Sequence, residues 1–572
     1  MKQASVYIGM VLLAFCVLPG CDNGGSTVVV SGAVVDQDGP VAGALVKIQG
    51  TGYKALTDKR GKFRLSGFAD SGSLTVTAWK QDYYCTLAKA VTPLEDSVRL
   101  TLTPYQTTDN PDYEWLSPLT GENSCVSCHE DIVTIWENNA HAGSAVNPRF
   151  LTLYYGTDRQ GNQSPLTRYT YIKEYGTIPL PPDPDLPYYG PGYKLDFPQS
   201  DGNCGACHIP GAAVDSGYEV SPRDIDGADT FGIHCDFCHK VAAVELDPAS
   251  DLPHLHRPGV MSMDVRRPFT GDPDRPQLFF GTFDDVNAPK GDAYLPLLEE
   301  SRFCAPCHYG VFWDTVVYNS YGEWLDSDYS DPVNGRTCQQ CHMPSPSMIN
   351  GRMITNIAPG KGGVDREPDT IHAHLQLGAM DEDFMQNAVS MDTCGSLDGQ
   401  SVKVTVHIAN DNTGHHVPTD SPLRHLILLV DARNEAGERL EQTEGETLPD
   451  WCGVGDEEDG CYANFPGKAF AKILEDKWTG ESPTAAYWNH TRLVLDNRIA
   501  AGAADTSTYG FFNPSYGDIT VRVKLIYRRA YKDLMEIKGW DVPDVIMADR
   551  MLTTRDMYNR CPEIPGVDNA HR

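Results

Sequence analysis

The motif Cys-x-x-Cys-His occurs five times in this chain, and this repeat constrains the possible fold more than any other feature of the sequence. The copies are Cys125, Cys128 and His129; Cys204, Cys207 and His208; Cys235, Cys238 and His239; Cys304, Cys307 and His308; and Cys338, Cys341 and His342. This spacing is typical of c-type haem attachment, in which both cysteines bond the porphyrin and the histidine binds one axial face of the iron. Paired cysteines also build zinc ribbons, but five is an odd number of units to pair and each has its own histidine. The motifs therefore predict five c-type haems.

The size and charge of the chain narrow the possible partners. A chain of 572 residues is too long for one hydrophobic core and predicts several domains. Its 78 acidic and 46 basic residues give a formal charge of −32, which argues against nucleic acid binding and favours docking to basic partners. Outside the motifs, Cys452 and Cys461 are candidates for a local disulfide, and Cys394 and Cys561 for a longer one.

Residues 1–21 resemble a bacterial lipoprotein signal peptide. Lys2 precedes an apolar run through Leu18, which is too short to span a membrane, and Leu-Pro-Gly-Cys then ends at Cys21. The resemblance implies that Cys21 becomes the lipidated N-terminus; the alternative is plain secretion, because Pro19 is unusual in that position. Either route leads to a compartment that permits haem attachment and disulfides. We predict an exported lipoprotein, anchored to the membrane by lipid, at the cell outer membrane or in the periplasm.

The hydrophobic pattern predicts a multidomain chain. Residues 28–104 alternate apolar and polar positions between Asp-Gly and Gly turns, which predicts an N-terminal β-sandwich. Residues 110–390 carry the motifs between Pro-, Gly- and Tyr-rich loops and are expected to form a loop-rich, partly helical multihaem core. Alternation returns over 396–530 and predicts a C-terminal β-sandwich. The tail, 531–572, shows no clear pattern.

The first β-sandwich resembles carboxypeptidase-regulatory-like domains. The likeness rests on "VSGAVVDQDGPVAGALVKIQGTGYKALTDKRGKFRLSGF" and extends over about 75 residues. It implies a structural or adhesive module, and no zinc-peptidase motif is present. We interpret this domain as a spacer between a membrane and the haem region.

The motif region resembles multihaem c-type cytochromes related to cytochrome c554. The likeness rests on "SCVSCHEDIVTIWENNAHAGS", on "CHYGVFWDTVVYNSYGEWLDSDYSDPVNGRTCQQCHMP", and on "NDNTGHHVPTDSPLRHLILLVDA" with "DNRIAAG", within residues 120–530. It implies an exported electron carrier. The chain departs from the family pattern at Asp420, where a glycine commonly follows Pro-Thr.

The second axial ligand of each iron must come from outside the motifs. Met343 adjoins His342 and is confined to the same side of the macrocycle, and His141 lies about 18 Å from His129 if the intervening segment is helical. His141 is therefore expected to serve a neighbouring haem. His234 is placed to do the same. The further candidate is His254 or His256, with His256 preferred.

The cytochrome resemblance selects two more ligands. In "IHAHLQLGA" the family pattern favours His374 over His372, and in "NTGHHVP" it favours His415 over His416. Three other histidines lie on apparent strands and are expected to be structural: His407, His425 and His490. Short connections also predict that the second and third haems, and the fourth and fifth, form close pairs.

These features favour an electron-transfer protein that serves other cytochromes or an extracellular electron acceptor, as a single chain, a homo-oligomer or a filament. Two alternatives stay open. One is a multihaem reductase of small nitrogen or sulfur oxyanions, with one open haem. The other is a binding module in which redox chemistry is secondary. All five motifs have histidine as the proximal ligand, with no lysine replacement of the kind seen in nitrite reductases, which weighs against an enzyme.

Overall fold

The computed structural model describes residues 28–68, 72–216, 219–269, 277–286 and 291–557. The predicted signal peptide and Cys21 therefore lie outside the described residues. The chain divides into two compact units, one formed by residues up to Lys80 together with Thr86–Thr103, and the other by Gln81–Cys85 together with all residues from Pro104 onward. In the described part of the chain, no helix combines the length and apolar character needed to cross a membrane.

The described residues of the first unit form seven strands in two sheets, which confirms the predicted N-terminal β domain. The strands are β1 (Val28–Val35), β2 (Leu45–Ile48), β3 (Lys54–Leu56), β4 (Lys62–Phe68), β5 (Leu74–Trp79), β6 (Thr86–Val91) and β7 (Val98–Thr101). One sheet has the order β4-β1-β7 and the other β3-β2-β5-β6. The alternating pattern buries Val34, Val46 and Val76. A Cβ at Gly32 would lie 1.9 Å from the carbonyl oxygen of Val98, so only glycine allows β1 and β7 to pair here.

The motif region has little regular structure. Its helices are α1 (Glu130–Trp136), α2 (Pro148–Tyr155), α3 (Tyr193–Asp196), α4 (Gly205–His208), α5 (Pro210–Ser216), α6 (Cys235–Cys238), α7 (Ser320–Leu325), α8 (Cys338–His342) and α9 (Glu382–Gln386). Its strands form two-stranded pairs: β8 (Tyr169–Ile172) with β9 (Gly176–Pro179), β10 (Val241–Val244) with β11 (Met263–Val265), β12 (Phe279–Gly281) with β13 (Asp292–Tyr294), β14 (Gly310–Phe312) with β15 (Thr315–Tyr318), and β16 (Met348–Ile349) with β17 (Arg352–Met353). The apolar side chains gather in several small clusters around the motifs instead of one large core.

The C-terminal region is a pair of antiparallel sheets packed on one core. The strands are β18 (Ser390–Asp398), β19 (Ser401–Ala409), β20 (His425–Asn434), β21 (Glu441–Glu444), β22 (Gly467–Asp476), β23 (Thr491–Asp496), β24 (Ala504–Phe512), β25 (Ile519–Arg528) and β26 (Val545–Thr553), with helices α10 (Lys532–Lys538) and α11 (Thr554–Met557). The sheet orders are β18-β19-β24-β21 and β23-β22-β20-β25-β26. Val404 and Val406 of β19 share a buried cluster with Leu426 and Leu428 of β20, so the two sheets pack face to face.

The C-terminal domain is longer at both ends than the predicted 396–530. β18 begins at Ser390, and residues assigned to the tail form α10 and β26, which pairs with β25. The strand pattern is weak at these edges because each strand has a sheet neighbour on one side only and keeps no regular alternation of buried and exposed positions.

The disulfide predictions have different outcomes. Cys394 is disulfide-bonded, while its predicted partner Cys561 lies outside the described residues. Cys452 and Cys461 are separate buried thiols, so the predicted local disulfide was wrong. The acidic loop between them forms a short helix over Glu457–Asp459.

Candidate haem-binding site

Each Cys-x-x-Cys-His motif folds as a single helical turn. In four motifs the N–H of the histidine donates to the carbonyl of the first cysteine, at 2.9 Å for His129, 3.0 Å for His208, 3.0 Å for His239 and 3.1 Å for His308. The fifth motif is the whole of α8, Cys338–His342. Residues three and four positions apart lie on one face of a helical turn. Every motif therefore presents two thiols and an imidazole on one side.

Local hydrogen bonds explain why the fifth motif adopts this turn. The hydroxyl of Thr337 accepts from the N–H of Gln340 at 3.3 Å, and the Gln340 side chain accepts from the N–H of Thr337 at 2.8 Å. This reciprocal arrangement satisfies two backbone donors that a helix start would leave unpaired. The Gln339 amide donates to the carbonyls of Leu298 and Glu300, which ties this motif to the segment before the fourth.

Backbone carbonyls orient three of the motif histidines. The Nδ1 atom lies 2.9 Å from the Ile357 oxygen in His129, 2.5 Å from the Phe280 oxygen in His239, and 2.5 Å from the Leu377 oxygen in His342. A carbonyl oxygen can only accept, so Nδ1 carries the proton in each ring. This tautomer leaves the lone pair of Nε2 available for a metal ion.

Three motif histidines face a histidine from a distant part of the chain. The ring centres are 6.3 Å apart for His141 and His308, 6.4 Å for His239 and His374, and 6.2 Å for His342 and His415. The angles between the ring planes are 50°, 27° and 21°, in the same order. The structure thus brings together three of the predicted axial ligands, His141, His374 and His415, with three different motifs.

The separation within these pairs fits a metal between two imidazoles. A histidine nitrogen lies about 2 Å from a metal it binds and the ring centre about 1 Å further back, so two rings on opposite sides of one ion are about 6 Å apart. Rings in direct contact are much closer: Phe150 stacks on His208 with centres 4.1 Å apart and planes at 1°. The paired histidines therefore leave room for a flat group between them, beside two thiols able to attach it.

Burial keeps these histidines neutral. Removal from water, together with the smaller effect of the facing histidine, lowers the pKa of His141 to about 3 and the pKa values of His342 and His374 to about 4. Burial also lowers the pKa values of His208, His239 and His415. Neutral imidazole is the form that binds metals, so the rings are ready to act as ligands at neutral pH.

Within the described part of the chain, the ring contacts give His129 and His208 no facing histidine. His129 is held by its bond to Ile357, and His208 by its stacking on Phe150. Phe150 covers the flat side of the His208 ring and does not block its nitrogens. These two motifs therefore differ from the other three, in which a second histidine ring faces the motif histidine.

Two further predicted ligands are His234 and His256, and the ring contacts of His234 in the described ranges are with Trp115 and Phe237. His234 is fully buried and caps α6, where its Nδ1 accepts from the N–H of Phe237 at 3.2 Å and its Nε2 lies 3.6 Å from Asp229. His256 is exposed. His234 directly precedes Cys235 and therefore occupies the N-cap position of the motif helix. A side chain at this position can accept a hydrogen bond from the first free N–H groups of the helix.

His372 and His416, the two histidines that the family pattern did not favour as ligands, make other contacts. The Nδ1 of His372 lies 3.1 Å from the Met343 carbonyl, and the Nδ1 of His416 lies 3.5 Å from Glu323. Of the histidines expected to be structural, His407 contacts Thr506, His425 stacks on Tyr531, and His490 stacks on Trp313. Phe150 was not predicted, because nothing in the sequence links it to a motif 54 residues away.

Thiols from different motifs meet in the folded chain. Interaction with Cys125 is the largest influence on the thiol of Cys235 and raises its pKa, and both residues pack on one apolar cluster. In the same way, interaction with Cys338 raises the pKa of Cys304, and interaction with Cys207 raises the pKa of Cys307. The first motif therefore adjoins the third, and the fourth adjoins both the second and the fifth. Residues of the second and third motifs also share a cluster.

Comparison with known proteins bears on two parts of the chain. Residues 29–103 match the family model of the carboxypeptidase regulatory-like domain, which confirms the resemblance drawn for the N-terminal domain. A penta-haem cytochrome c552 from Thermochromatium tepidum is similar over 75% of this chain and 97% of its own, with 21% identity and a TM-score of 0.49. A type II cohesin–X-dockerin complex from Acetivibrio cellulolyticus is similar over 13% of this chain and 51% of its own, with 28% identity and a TM-score of 0.11. A search of curated proteins gives no match.

Proposed function

We propose that this chain is an exported pentahaem c-type cytochrome related to the cytochrome c554 family, which transfers electrons between redox partners. The observation that carries the proposal is the set of three histidine pairs, with ring centres 6.2 to 6.4 Å apart, each next to a turn that presents two thiols. A zinc ribbon needs four ligands around one ion. No group of three or more metal-ligating side chains gathers in that way among the residues that the structure describes.

The pairs support a proposed set of ligands for three of the five predicted haems. His141 would stand opposite His308, His374 opposite His239, and His415 opposite His342. A bound haem supplies an iron that changes oxidation state by one electron. When imidazoles fill both axial positions, no site is left for a substrate, and such an iron suits electron transfer.

The contacts between motifs support transfer within one chain. The thiol contacts link the first motif to the third and the fourth to the second and fifth, and Cys238 of the third motif acts electrostatically on Cys304 of the fourth. All five motifs thus belong to one continuous group in which each adjoins another. Haems attached at these cysteines would have neighbouring edges.

The remaining features define how the protein meets its partners. Lipid on Cys21 would anchor the chain to a membrane, at the outer membrane or in the periplasm, with the carboxypeptidase-regulatory-like domain as the spacer. The formal charge of −32 favours a basic surface on other cytochromes or on an extracellular acceptor. Assembly into a homo-oligomer or filament is compatible with this role.

A second candidate function, the multihaem reductase of small nitrogen or sulfur oxyanions, is favoured by one observation. His129 and His208 have no histidine facing them in the described ranges, in contrast to the other three motif histidines. An iron held there with an open sixth position would accept a small ligand. The carrier and the reductase therefore differ in what occupies the sixth position at these two motifs.

Electron paramagnetic resonance of the oxidised, purified protein separates the two functions. The carrier predicts low-spin signals from every haem and no change on addition of nitrite, hydroxylamine or cyanide. A stoichiometric high-spin haem whose signal shifts with these ligands would instead support the reductase. Chemical reduction followed by mixing with an oxidised multihaem cytochrome then measures transfer directly, and the carrier predicts rapid reoxidation.

A further inference from the structure

The third motif contains a buried ion pair. Asp236 lies between Cys235 and Cys238, and Lys240 directly follows His239. The two charged residues are 1% and 0% exposed, and the Lys240 Nζ donates to the Asp236 Oδ1 at 2.6 Å. No other motif has a charged residue between its cysteines. The third motif therefore differs from the other four in the charges it carries.

Two further donors hold the carboxylate of this pair. The hydroxyl of Tyr113 donates to the Asp236 Oδ2 at 2.9 Å, and the N–H of Leu116 donates to the same oxygen at 2.8 Å. Neither donor belongs to Lys240. The carboxylate therefore keeps two donors when the ammonium group is removed, and hydrogen bonds of this kind favour its charged form.

Strand β12 joins the ion pair to the motif histidine. The carbonyl oxygen of Phe280 lies 2.5 Å from the Nδ1 of His239, and the N–H of Phe280 donates to the His239 carbonyl at 2.8 Å. The preceding residue, Phe279, places its ring centre 3.8 Å from the Lys240 Nζ. The same strand thus orients the imidazole and covers the ammonium group of the pair.

A buried ion pair of this kind adds little to stability by itself. Removing two charges from water is costly, and their mutual attraction often does no more than offset that cost. A charge without water around it acts over a longer distance, because few solvent dipoles screen it. Lys240 is bonded to His239, and Asp236 lies between the two cysteines. The charges are therefore placed to act on an iron bound by this motif.

We propose that Asp236 and Lys240 set the reduction potential of the haem held by the third motif, an inference that rests on the proposed function. Reduction adds one electron to the iron and lowers its charge by one. A nearby positive charge therefore favours the reduced form, and a nearby negative charge favours the oxidised form. In the wild type the two charges offset each other. Loss of either one leaves the other uncompensated, with opposite effects on the potential.

The test compares the full-length exported wild type with Lys240→Met, Asp236→Asn and the variant that combines both changes. Asp431→Asn is the control, because Asp431 also belongs to an ion pair, with Arg439 at 2.8 Å, but lies on β20 of the C-terminal domain. The haem content of each preparation is measured first. A redox titration followed by electron paramagnetic resonance then gives the midpoint potential of each haem. If Lys240→Met does not fold, Lys240→Gln replaces it, because the amide keeps a donor for Asp236 without the charge.

A second set of variants identifies the haem that responds. His374→Ala is expected to make the third haem high-spin, so that its signal separates from the others. Lys240→Met and Asp236→Asn are therefore repeated in this background, and the high-spin signal is followed during the titration.

Lys240→Met should lower the midpoint potential of the third haem and, at the wild-type midpoint, raise its ratio of oxidised to reduced form about fivefold or more. Asp236→Asn should shift the potential and this ratio in the opposite directions. The variant that combines both changes should return towards the wild type, and the control should leave every potential unchanged.

Five haems with wild-type potentials in both single variants would overturn the inference and leave the proposed function standing. Shifts of the same sign in the two single variants, or a shift confined to another haem, would also overturn it. Protein that carries no haem would contradict the proposed function, and this inference with it.

Discussion

Histidines that are neighbours in sequence have different surroundings in this fold. The ring centres of His374 and His239 are 6.4 Å apart, while His372, two residues earlier, contacts the Met343 carbonyl. His415 faces His342 in the same way, while the adjacent His416 contacts Glu323. Each proposed ligand thus has a matched control close by in the chain.

We expect His374→Ala and His415→Ala each to convert one haem from low to high spin, because each removes one of two axial imidazoles. His372→Ala and His416→Ala should keep the wild-type signals. Electron paramagnetic resonance of the four oxidised variants makes the comparison. Wild-type spectra from both ligand variants would show that the facing rings do not share an iron.

Lys538 shows how a single residue joins distant segments. It is fully buried, and its Nζ donates to the carbonyls of Thr152 at 3.0 Å, Thr157 at 3.0 Å and Pro191 at 2.7 Å. Burial lowers its pKa to about 7. Helix α10 is thereby attached to the end of α2.

Lys538→Met should lower the free energy of unfolding by about 2 kcal/mol, because it removes three hydrogen bonds to protein carbonyls at roughly 1 kcal/mol each. The loss at Thr152 is smaller, because its carbonyl keeps the N–H groups of Gly156 and Thr157 as donors. Urea unfolding followed by fluorescence measures the loss. The exposed Lys403→Met on β19 serves as the control and should change little. Equal stability of the two variants would mean that the three bonds contribute nothing net.

At the scale of elements, the loop between β19 and β20 carries His415, and α7 holds this loop in place. The Glu323 carboxylate on α7 accepts from the N–H of His416 at 3.2 Å, the hydroxyl of Thr419 at 2.5 Å and the guanidinium of Arg498 at 2.7 Å. Burial opposes ionisation, but His416, Arg498 and Thr419 together lower the pKa of Glu323 to about 2.

Because the folded pKa of Glu323 is below its ordinary value, its contribution is complete above about pH 4.5 and is lost as the pH falls towards about 2. The difference between 4.5 and about 2 corresponds to roughly 3 kcal/mol. Glu323→Gln should therefore destabilise the protein at pH 7. The difference in free energy of unfolding between this variant and the wild type should become smaller at acidic pH. Chemical unfolding at several pH values tests this. A difference in free energy of unfolding that stays constant from pH 7 to pH 2 would contradict the role given to the carboxylate.

Elements with a strong local pattern were predictable, and those that depend on distant partners were not. The alternation of apolar and polar residues in β19 predicts a strand from neighbouring residues alone. The spacing of each motif likewise predicts a helical turn that places two cysteines and a histidine on one side. Whether His141 faces His308 or another motif depends on the path of more than 160 residues between them. β26 is recognisable only through its pairing with β25. His234 was chosen for its closeness to a motif, but it forms a helix cap.

At the scale of the whole molecule, the proposed architecture is a lipid anchor, a β domain and a haem region. Cys21 lies outside the described residues, and its role is a prediction from the sequence. Cys21→Ala should release the protein from membranes with its haem content intact, because haem attachment depends on the motifs alone. Fractionation of cells and haem staining of the fractions measure both. Membrane association that persists in this variant would place the anchor elsewhere.

The central claim is that all five motifs carry covalently attached haem. The most direct test is intact-mass spectrometry of the exported wild-type protein, combined with quantitative haem and zinc analysis of the same sample. The account predicts a mass increase of five haems per chain, which persists after denaturation, and no stoichiometric zinc. Fewer than five attached haems, or zinc in their place, would contradict it.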